Sequence, residues 1–145
     1  MQYKDLVKTF DGCPFCKVPE RQILREGPLS YTIINIAPYH KHHSMIIPKR
    51  HIEKILDATD KENKEMLAGI KQGIEALNKL GYKSYVAMIH EGGIGVTGGS
   101  VPHLHYHLIP DTPIGMLEKD HEAREIIPET EMATVKQDLK IALGA

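Results

Sequence analysis

The chain predicts an α+β fold: a mainly antiparallel sheet of about five strands, one long central helix and a C-terminal helix. Three observations carry this expectation. Short runs rich in β-branched and apolar residues, at 31–36, 44–47, 85–89 and 103–109, are bounded by proline, glycine or polar turn residues. One long stretch between the second and third runs repeats apolar residues at three- and four-residue steps, and a second such stretch closes the chain. Strands, a long helix, more strands and a terminal helix make an α+β order, not an alternating βαβ one.

Residues 1–17 begin polar and reach Cys13-Pro14-Phe15-Cys16, where proline and a neighbouring glycine favour a turn. Tyr31–Ile36 reads as a strand, Ala37–His42 as a turn and Ser44–Ile47 as the returning strand, stopped by Pro48. The central helix is expected over Asp57–Leu80. Thr59 and Glu62 have capping-box spacing. Met66, Leu67, Ile70, Ile74 and Leu77 form its apolar stripe, and Gly81 ends it. Tyr85–Ile89 is a third strand. A glycine-dense loop over 91–102 feeds the strand that carries His103, His105 and His107. Gly115–Glu125 is charged and expected on the surface. After Pro128 a helix should place Met132, Val135, Leu139 and Leu143 on one side, with Gly144 at its end.

The length of 145 residues suits one domain with a sizeable core. A formal net charge of −1 with both signs interspersed gives no basic stripe for a nucleic-acid backbone. No apolar run is long enough to span a bilayer, and 1–10 lacks a signal-peptide core. Two cysteines two residues apart suit a metal or redox site better than a secreted disulfide framework, so a cytoplasmic protein is expected.

Histidines at alternate positions of one strand share a face, with Leu104, Tyr106 and Leu108 on the other. Same-face neighbours lie roughly 6.5–7 Å apart, which puts His103 and His107 about 13 Å apart on a straight strand. Two such imidazoles can share a metal and three cannot, so at least one has another task. The plain alternative is a set of satisfied polar residues on a half-exposed face. The glycine-rich loop alone is either a flexible connection or a phosphate cradle, with Gly99 in the loop and Ser100 adding a hydroxyl. Loop and histidines together point to phosphate chemistry with an imidazole nucleophile. Cys13-x-x-Cys16 is a redox dithiol or half of a zinc site, and the βαβ context of the former is missing.

These residues resemble the histidine-triad (HIT) superfamily of nucleotide hydrolases and transferases. Its pattern of three histidines alternating with apolar residues and followed by two more is matched by His103-Leu104-His105-Tyr106-His107-Leu108-Ile109. The resemblance runs from about Cys13 to Pro110 and includes the segment from His43 to His51. It implies His105 as the nucleophile forming a covalent nucleotidyl intermediate, and His107 as the residue contacting the phosphate. It implies His43 as an upstream active-site histidine, Asn35 on the ribose, Ile36 on the base and Ser100 on the phosphate. His90 is a further candidate contact.

The zinc-bearing members imply a closed structural zinc held by Cys13, Cys16, His51 and His103. Residues 1–17 then form a zinc-binding segment and 111–145 a tail with a helix. The resemblance also implies a homodimer.

Many hydrolase members carry a glutamine where this chain has Gly99, and the surrounding pattern also resembles transferase and phosphorylase branches. Hydrolysis of a nucleotide phosphoester or phosphoramidate, releasing a nucleoside monophosphate, is the leading expectation. A nucleotidyl transferase or dinucleotide phosphorylase is the alternative. A non-catalytic nucleotide-binding module and a metalloenzyme using two of the histidines are further readings. His40 and His42 are expected in a solvated turn, His121 in a charged surface stretch, and Lys49 and Arg50 exposed at a strand end.

Overall fold

The structure, a computed structural model, describes residues 1–113, 115 and 124–144. Its elements in chain order are α1 (Tyr3–Val7), β1 (Ile23–Glu26), β2 (Ser30–Ile34), β3 (Ser44–Pro48), α2 (Asp60–Lys79), β4 (Tyr85–Met88), β5 (Tyr106–Pro110) and α3 (Glu129–Leu143). The strands form one five-stranded sheet in the order β1-β2-β3-β5-β4. Every neighbouring pair is antiparallel. The fold is therefore the expected α+β arrangement.

The alternation along each strand divides the side chains between two faces. Leu24, Ile34, Ile46 and Leu108 point to a core closed by Met66 and Leu77 of α2 and by Met132, Val135 and Leu139 of α3. Ile33, Met45 and Ile47 point the other way, against Phe15, Val18, Ile23 and Tyr31. Because both faces are covered, β3 is buried along its whole length, which explains its uninterrupted apolar run.

The central helix starts where the capping box placed it. Thr59 accepts from the Glu62 backbone N–H, and Glu62 accepts from the Thr59 N–H at 2.9 Å. Residues 55–57 are a separate 3₁₀ turn, so α2 begins three residues later than expected. Gly81 takes a left-handed φ of +98° just past the end of the helix. The buried face is Met66, Gly69, Gly73, Ala76 and Leu77, whereas Leu67 is exposed. This differs from the expected stripe because two glycines let the helix lie close on the sheet. A Cβ at Gly73 would stand 2.6 Å from Leu108 Cδ2, and one at Gly69 would stand 3.3 Å from Ile46 Cγ2.

Two elements were not expected from the sequence, α1 and β1. The triad strand is also shorter than expected. Regular pairing begins at Tyr106, and residues 101–105 are irregular. His103 and His105 therefore precede the strand, and the spacing argued for a straight strand does not apply to them. Most of the Gly115–Glu125 stretch, including His121, lies outside the described residues. No helix among the described residues is long and apolar enough to cross a membrane.

Candidate active site and metal-binding cluster

Strand pairing brings His107 opposite Met45 of β3 and Met88 of β4. It lies on the face away from α2 and α3, where a cavity of about 330 Å³ opens. Asn35, Ile36, His90, Gly99, Ser100, His105 and His107 all line this cavity. The expected substrate residues from four separate segments thus meet in one place. His43 is fully buried directly behind His107.

The hydrogen bonds assign protons to the imidazoles. His105 Nδ1 lies 2.6 Å from the His103 carbonyl oxygen. A carbonyl only accepts, so Nδ1 carries the hydrogen and Nε2 keeps its lone pair. Burial pushes the His105 pKa down to about 4, so the ring is neutral at pH 7.

A second chain of bonds starts at the Tyr39 backbone N–H, which donates to His43 Nδ1 at 3.2 Å. His43 must then carry its hydrogen on Nε2, which donates to His107 Nδ1 at 2.9 Å. That leaves His107 with an Nε2–H. The Asn35 amide nitrogen, 3.5 Å from His43 Nε2, is at the outer limit of hydrogen bonding. Burial holds His43 and His107 well below the ordinary histidine range, and neighbouring imidazoles and Arg124 add to it. The cavity thus presents a nucleophilic nitrogen on His105 beside an N–H donor on His107, with ring centroids 4.8 Å apart.

The glycine-rich loop packs on His90. His90 Nδ1 donates to the Thr97 carbonyl at 2.6 Å, and its ring meets His107 edge to face with centroids 5.5 Å apart. A Cβ at Gly99 would stand 3.0 Å from His90 Cβ, so glycine here permits the close approach. Gly98 adopts a left-handed φ of +95°. The Ser100 hydroxyl is 3.0 Å from the Tyr3 hydroxyl. Asn35 lines the cavity, with its Oδ1 accepting from the Ala37 N–H at 2.8 Å.

The four expected metal ligands converge beside the cavity. One ligand atom from each of Cys13, Cys16, His51 and His103 lies within 4.8 Å of every other. Cys13 Sγ is 3.3 Å from His103 Nδ1, and Cys16 Sγ is 3.2 Å from His51 Nδ1. His103 Nε2 donates to the Pro48 carbonyl at 2.8 Å, which turns the lone pair of Nδ1 toward the thiols. Two soft sulfurs and two imidazoles fit a tetrahedral zinc, and this four-residue cluster could hold a metal.

The expectation for the turn histidines changes. His42 is buried, not solvated. Its ring contacts the Tyr82 hydroxyl at 2.8 Å and Asp138 of α3 at 3.2 Å, and His40 packs edge to face on the same tyrosine. Lys49 and Arg50 stand at the strand end outside the cavity wall, in keeping with the expectation, and Lys49 pairs with Glu26 and Arg50 with Glu62.

Sequence reasoning missed Tyr3, Tyr39 and Arg124 in the cavity wall. The Arg124 guanidinium lies over the Tyr39 and Tyr3 rings, 4.3 and 5.1 Å from their centroids, and donates to the Ala37 carbonyl. No local motif marks it, since it sits in a stretch of mixed charge well past the triad in sequence.

With five antiparallel strands, His105 and His107 in the wall of a cavity and His103 just beside it, the fold and site define a histidine-triad protein. The chain belongs to the HIT domain family, which matches residues 17–114. The adenosine 5'-monophosphoramidase of Schizosaccharomyces pombe is 32% identical over 103 residues, covering 68% of this chain and 74% of that protein. The AP-4-A phosphorylase of Mycobacterium tuberculosis is 28% identical over 102 residues, covering 67% of this chain. The match spans about half of that phosphorylase, 52% of its length. Among solved structures, a Zn-bound histidine triad family protein from Mycobacterium smegmatis aligns with a TM-score of 0.70 and 21% identity. That alignment covers 92% of this chain and 94% of the other.

Proposed function

We propose that the protein is a nucleotide hydrolase that cleaves a phosphoester or phosphoramidate through a nucleotidyl–His105 intermediate and releases a nucleoside monophosphate. The observation that carries this reading is the bond from His105 Nδ1 to the His103 carbonyl, with the ring buried and neutral. The Nε2 lone pair forms the N–P bond as the bond from phosphorus to the leaving group breaks. The Nε2–H of His107 hydrogen-bonds the departing atom as negative charge develops on it, and His43 fixes that tautomer. A phosphate leaving group departs as its anion, and an amine takes its proton from solvent. Water then forms the new P–O bond as the N–P bond to His105 breaks, and its proton passes to solvent. Gly99, Ser100 and His90 face the phosphoryl oxygens, Asn35 the ribose and Ile36 the base. The S. pombe phosphoramidase supports this choice of reaction.

The second reading is a nucleotidyl transferase or phosphorylase using the same intermediate. Gly99 in place of the glutamine of many hydrolases favours it, as does the likeness to an AP-4-A phosphorylase. Chromatography of the products separates the two. Hydrolysis gives a nucleoside monophosphate whether or not inorganic phosphate is present. A nucleoside diphosphate formed only with phosphate identifies the phosphorylase. No turnover of phosphoramidate or dinucleotide by the wild type, with nucleotide still bound, leaves a binding module.

We further infer that Cys13, Cys16, His51 and His103 hold a structural zinc. It would tie residues 1–17 to the segment that carries His105, and four protein ligands leave no position for a reacting water. A homodimer, a cytoplasmic location with reduced thiols, and one unit over residues 1–145 with the tail from 111 complete the reading. The sheet-edge position of β4 and the exposed Leu67 on α2 support pairing. Sedimentation equilibrium tests it.

A further inference from the structure

Asp138 of α3 lies outside residues 17–114, so the family match assigns it no role. Its helix packs on the core through Val135 and Leu139, which leaves Asp138 on the flank of the buried face. There its carboxylate lies 3.2 Å from Nε2 of His42, whose side chain is only 6% exposed. A carboxylate only accepts, so Nε2 carries the hydrogen. Nδ1 of the same ring meets the Tyr82 hydroxyl at 2.8 Å. Tyr82 is itself held at the end of α2, where its N–H donates to the Leu77 carbonyl at 3.0 Å. His40 packs on the Tyr82 ring, with centroids 5.1 Å apart. A buried ring with both nitrogens engaged fixes the backbone that carries it. The triad chemistry uses none of these three side chains.

What this clamp holds is the turn that sets His43. His42 and His43 are consecutive, and one reaches Asp138 while the other reaches His107. From the strand side His43 is fixed by β3, since Ser44 pairs with Ile34. From the turn side its N–H donates to the His40 carbonyl at 2.9 Å, and the His42 N–H donates to His40 Nδ1 at 3.1 Å. Inside the turn the Tyr39 N–H donates to His43 Nδ1 at 3.2 Å, the upper end of the ordinary range. That single bond keeps the His43 hydrogen on Nε2, where it faces His107. A small shift of the turn breaks it, and the His43–His107 pair then has no fixed direction.

We propose that Asp138 is a positioning residue for the reaction: through His42 it pins the 39–43 turn from the helical side of the sheet, so that the Tyr39 N–H stays on His43 and His107 keeps its Nε2–H for the cavity. The proposal deepens the hydrolase reading and rests on it, and one arm of its test does not depend on turnover.

In the first arm, long-range proton–nitrogen correlation spectra of the full-length protein, labelled with 15N in its histidines, read which ring nitrogen of His43 carries the hydrogen. His43→Gln assigns the signals. Wild type should show one tautomer, with the hydrogen on Nε2. Asp138→Ala should show a mixture, and Asp138→Asn, which keeps an accepting oxygen, should return to the single form. If Asp138→Ala does not fold, Tyr82→Phe carries the same prediction, because it keeps the ring and drops the hydroxyl. A single unchanged tautomer in Asp138→Ala, or no recovery in Asp138→Asn, overturns the proposal.

In the second arm, steady-state kinetics with adenosine phosphoramidate compare Asp138→Ala in the wild-type and His43→Ala backgrounds. In the wild-type background kcat should fall about 3–10-fold with KM within about twofold. In the His43→Ala background the same change should cost less than about twofold, because the group it acts through is gone. An equal loss in both backgrounds means a general structural role and overturns the proposal, as does an unchanged kcat in the wild-type background. An inactive wild type that shows the tautomer change contradicts the hydrolase reading but upholds the link from Asp138 to His43. An active wild type whose His43 ignores Asp138 does the reverse.

Discussion

His105 Nδ1 donates to the backbone carbonyl of His103, two residues earlier and 2.6 Å away. The same residue that turns its own side chain to the cysteines therefore orients the candidate nucleophile with its main chain. The bond is short-range and independent of substrate, so the reactive nitrogen is set before anything binds. Replacing His105 by Asn should leave the melting temperature within about 2–3 °C of wild type, because the side chain packs at the cavity wall. The same replacement should reduce kcat by about 10³-fold or more. Thermal melts and steady-state kinetics on one preparation check both halves.

The His43–His107 pair transmits a tautomer, not a charge. His43→Ala removes the donor that holds His107 Nδ1 as acceptor, so His107 no longer presents Nε2–H in every molecule. The expected loss is about 10–100-fold in kcat with KM nearly unchanged. His43→Gln, whose amide can donate, should recover part of it. A loss confined to KM would place His43 in substrate binding instead.

Metal removal separates structure from chemistry. The four candidate ligands Cys13, Cys16, His51 and His103 bring the N-terminal turn against the segment ahead of β5. Loss of zinc on chelation should therefore lower the melting temperature by at least about 5 °C, and readdition of zinc should restore it. Cys16→Ser should reproduce the drop. Zinc content by atomic absorption follows the same samples. A melting curve unmoved by a chelator that strips the metal contradicts the assignment.

Glu62 gives the fold a pH dependence in the acid range. Its bond to Arg50, then the capping bonds from Thr59, hold its carboxyl down to about 2, against an ordinary 4.5. The folded pKa is the lowered one. Its stabilisation is therefore present above 4.5 and lost as pH falls toward 2. Because Arg50 is half exposed, solvent screening trims the contribution to about 2 kcal/mol. Glu62→Gln should be less stable than wild type by that amount at pH 7, and the gap should close progressively below pH 4.5. Urea titrations at pH 7 and pH 3.5 measure it, and a gap equal at both would argue against the ion pair.

What the sequence disclosed depended on whether the signal was local. The capping box, the apolar period of α2, the turn between β2 and β3 and the terminal helix are each written within a few residues, and all appear in the fold. The triad and the Cys-x-x-Cys are likewise local, and the structure brings His105, His107, Asn35, Ile36, His90, Gly99 and Ser100 to one cavity. Contacts made across long stretches of chain were not legible. Arg124 and Tyr3 meet only because the two ends pair, and His42 is buried only because Asp138 of α3 and Tyr82 close over it. The triad backbone departed from a straight strand because the Leu104 N–H bonds to the Ile52 carbonyl rather than to a neighbouring strand, a partner that no periodicity shows.

The most direct measurement is capture of the intermediate. Wild-type protein is mixed with adenosine phosphoramidate or diadenosine tetraphosphate, quenched within milliseconds at alkaline pH, where phosphoramidate bonds survive, and digested for mass spectrometry. The account predicts one adenylyl group on the peptide containing His105, absent from His105→Asn and decaying at the rate of AMP release. Turnover at the wild-type rate by His105→Asn, or an adenylyl group carried by another residue, would contradict it.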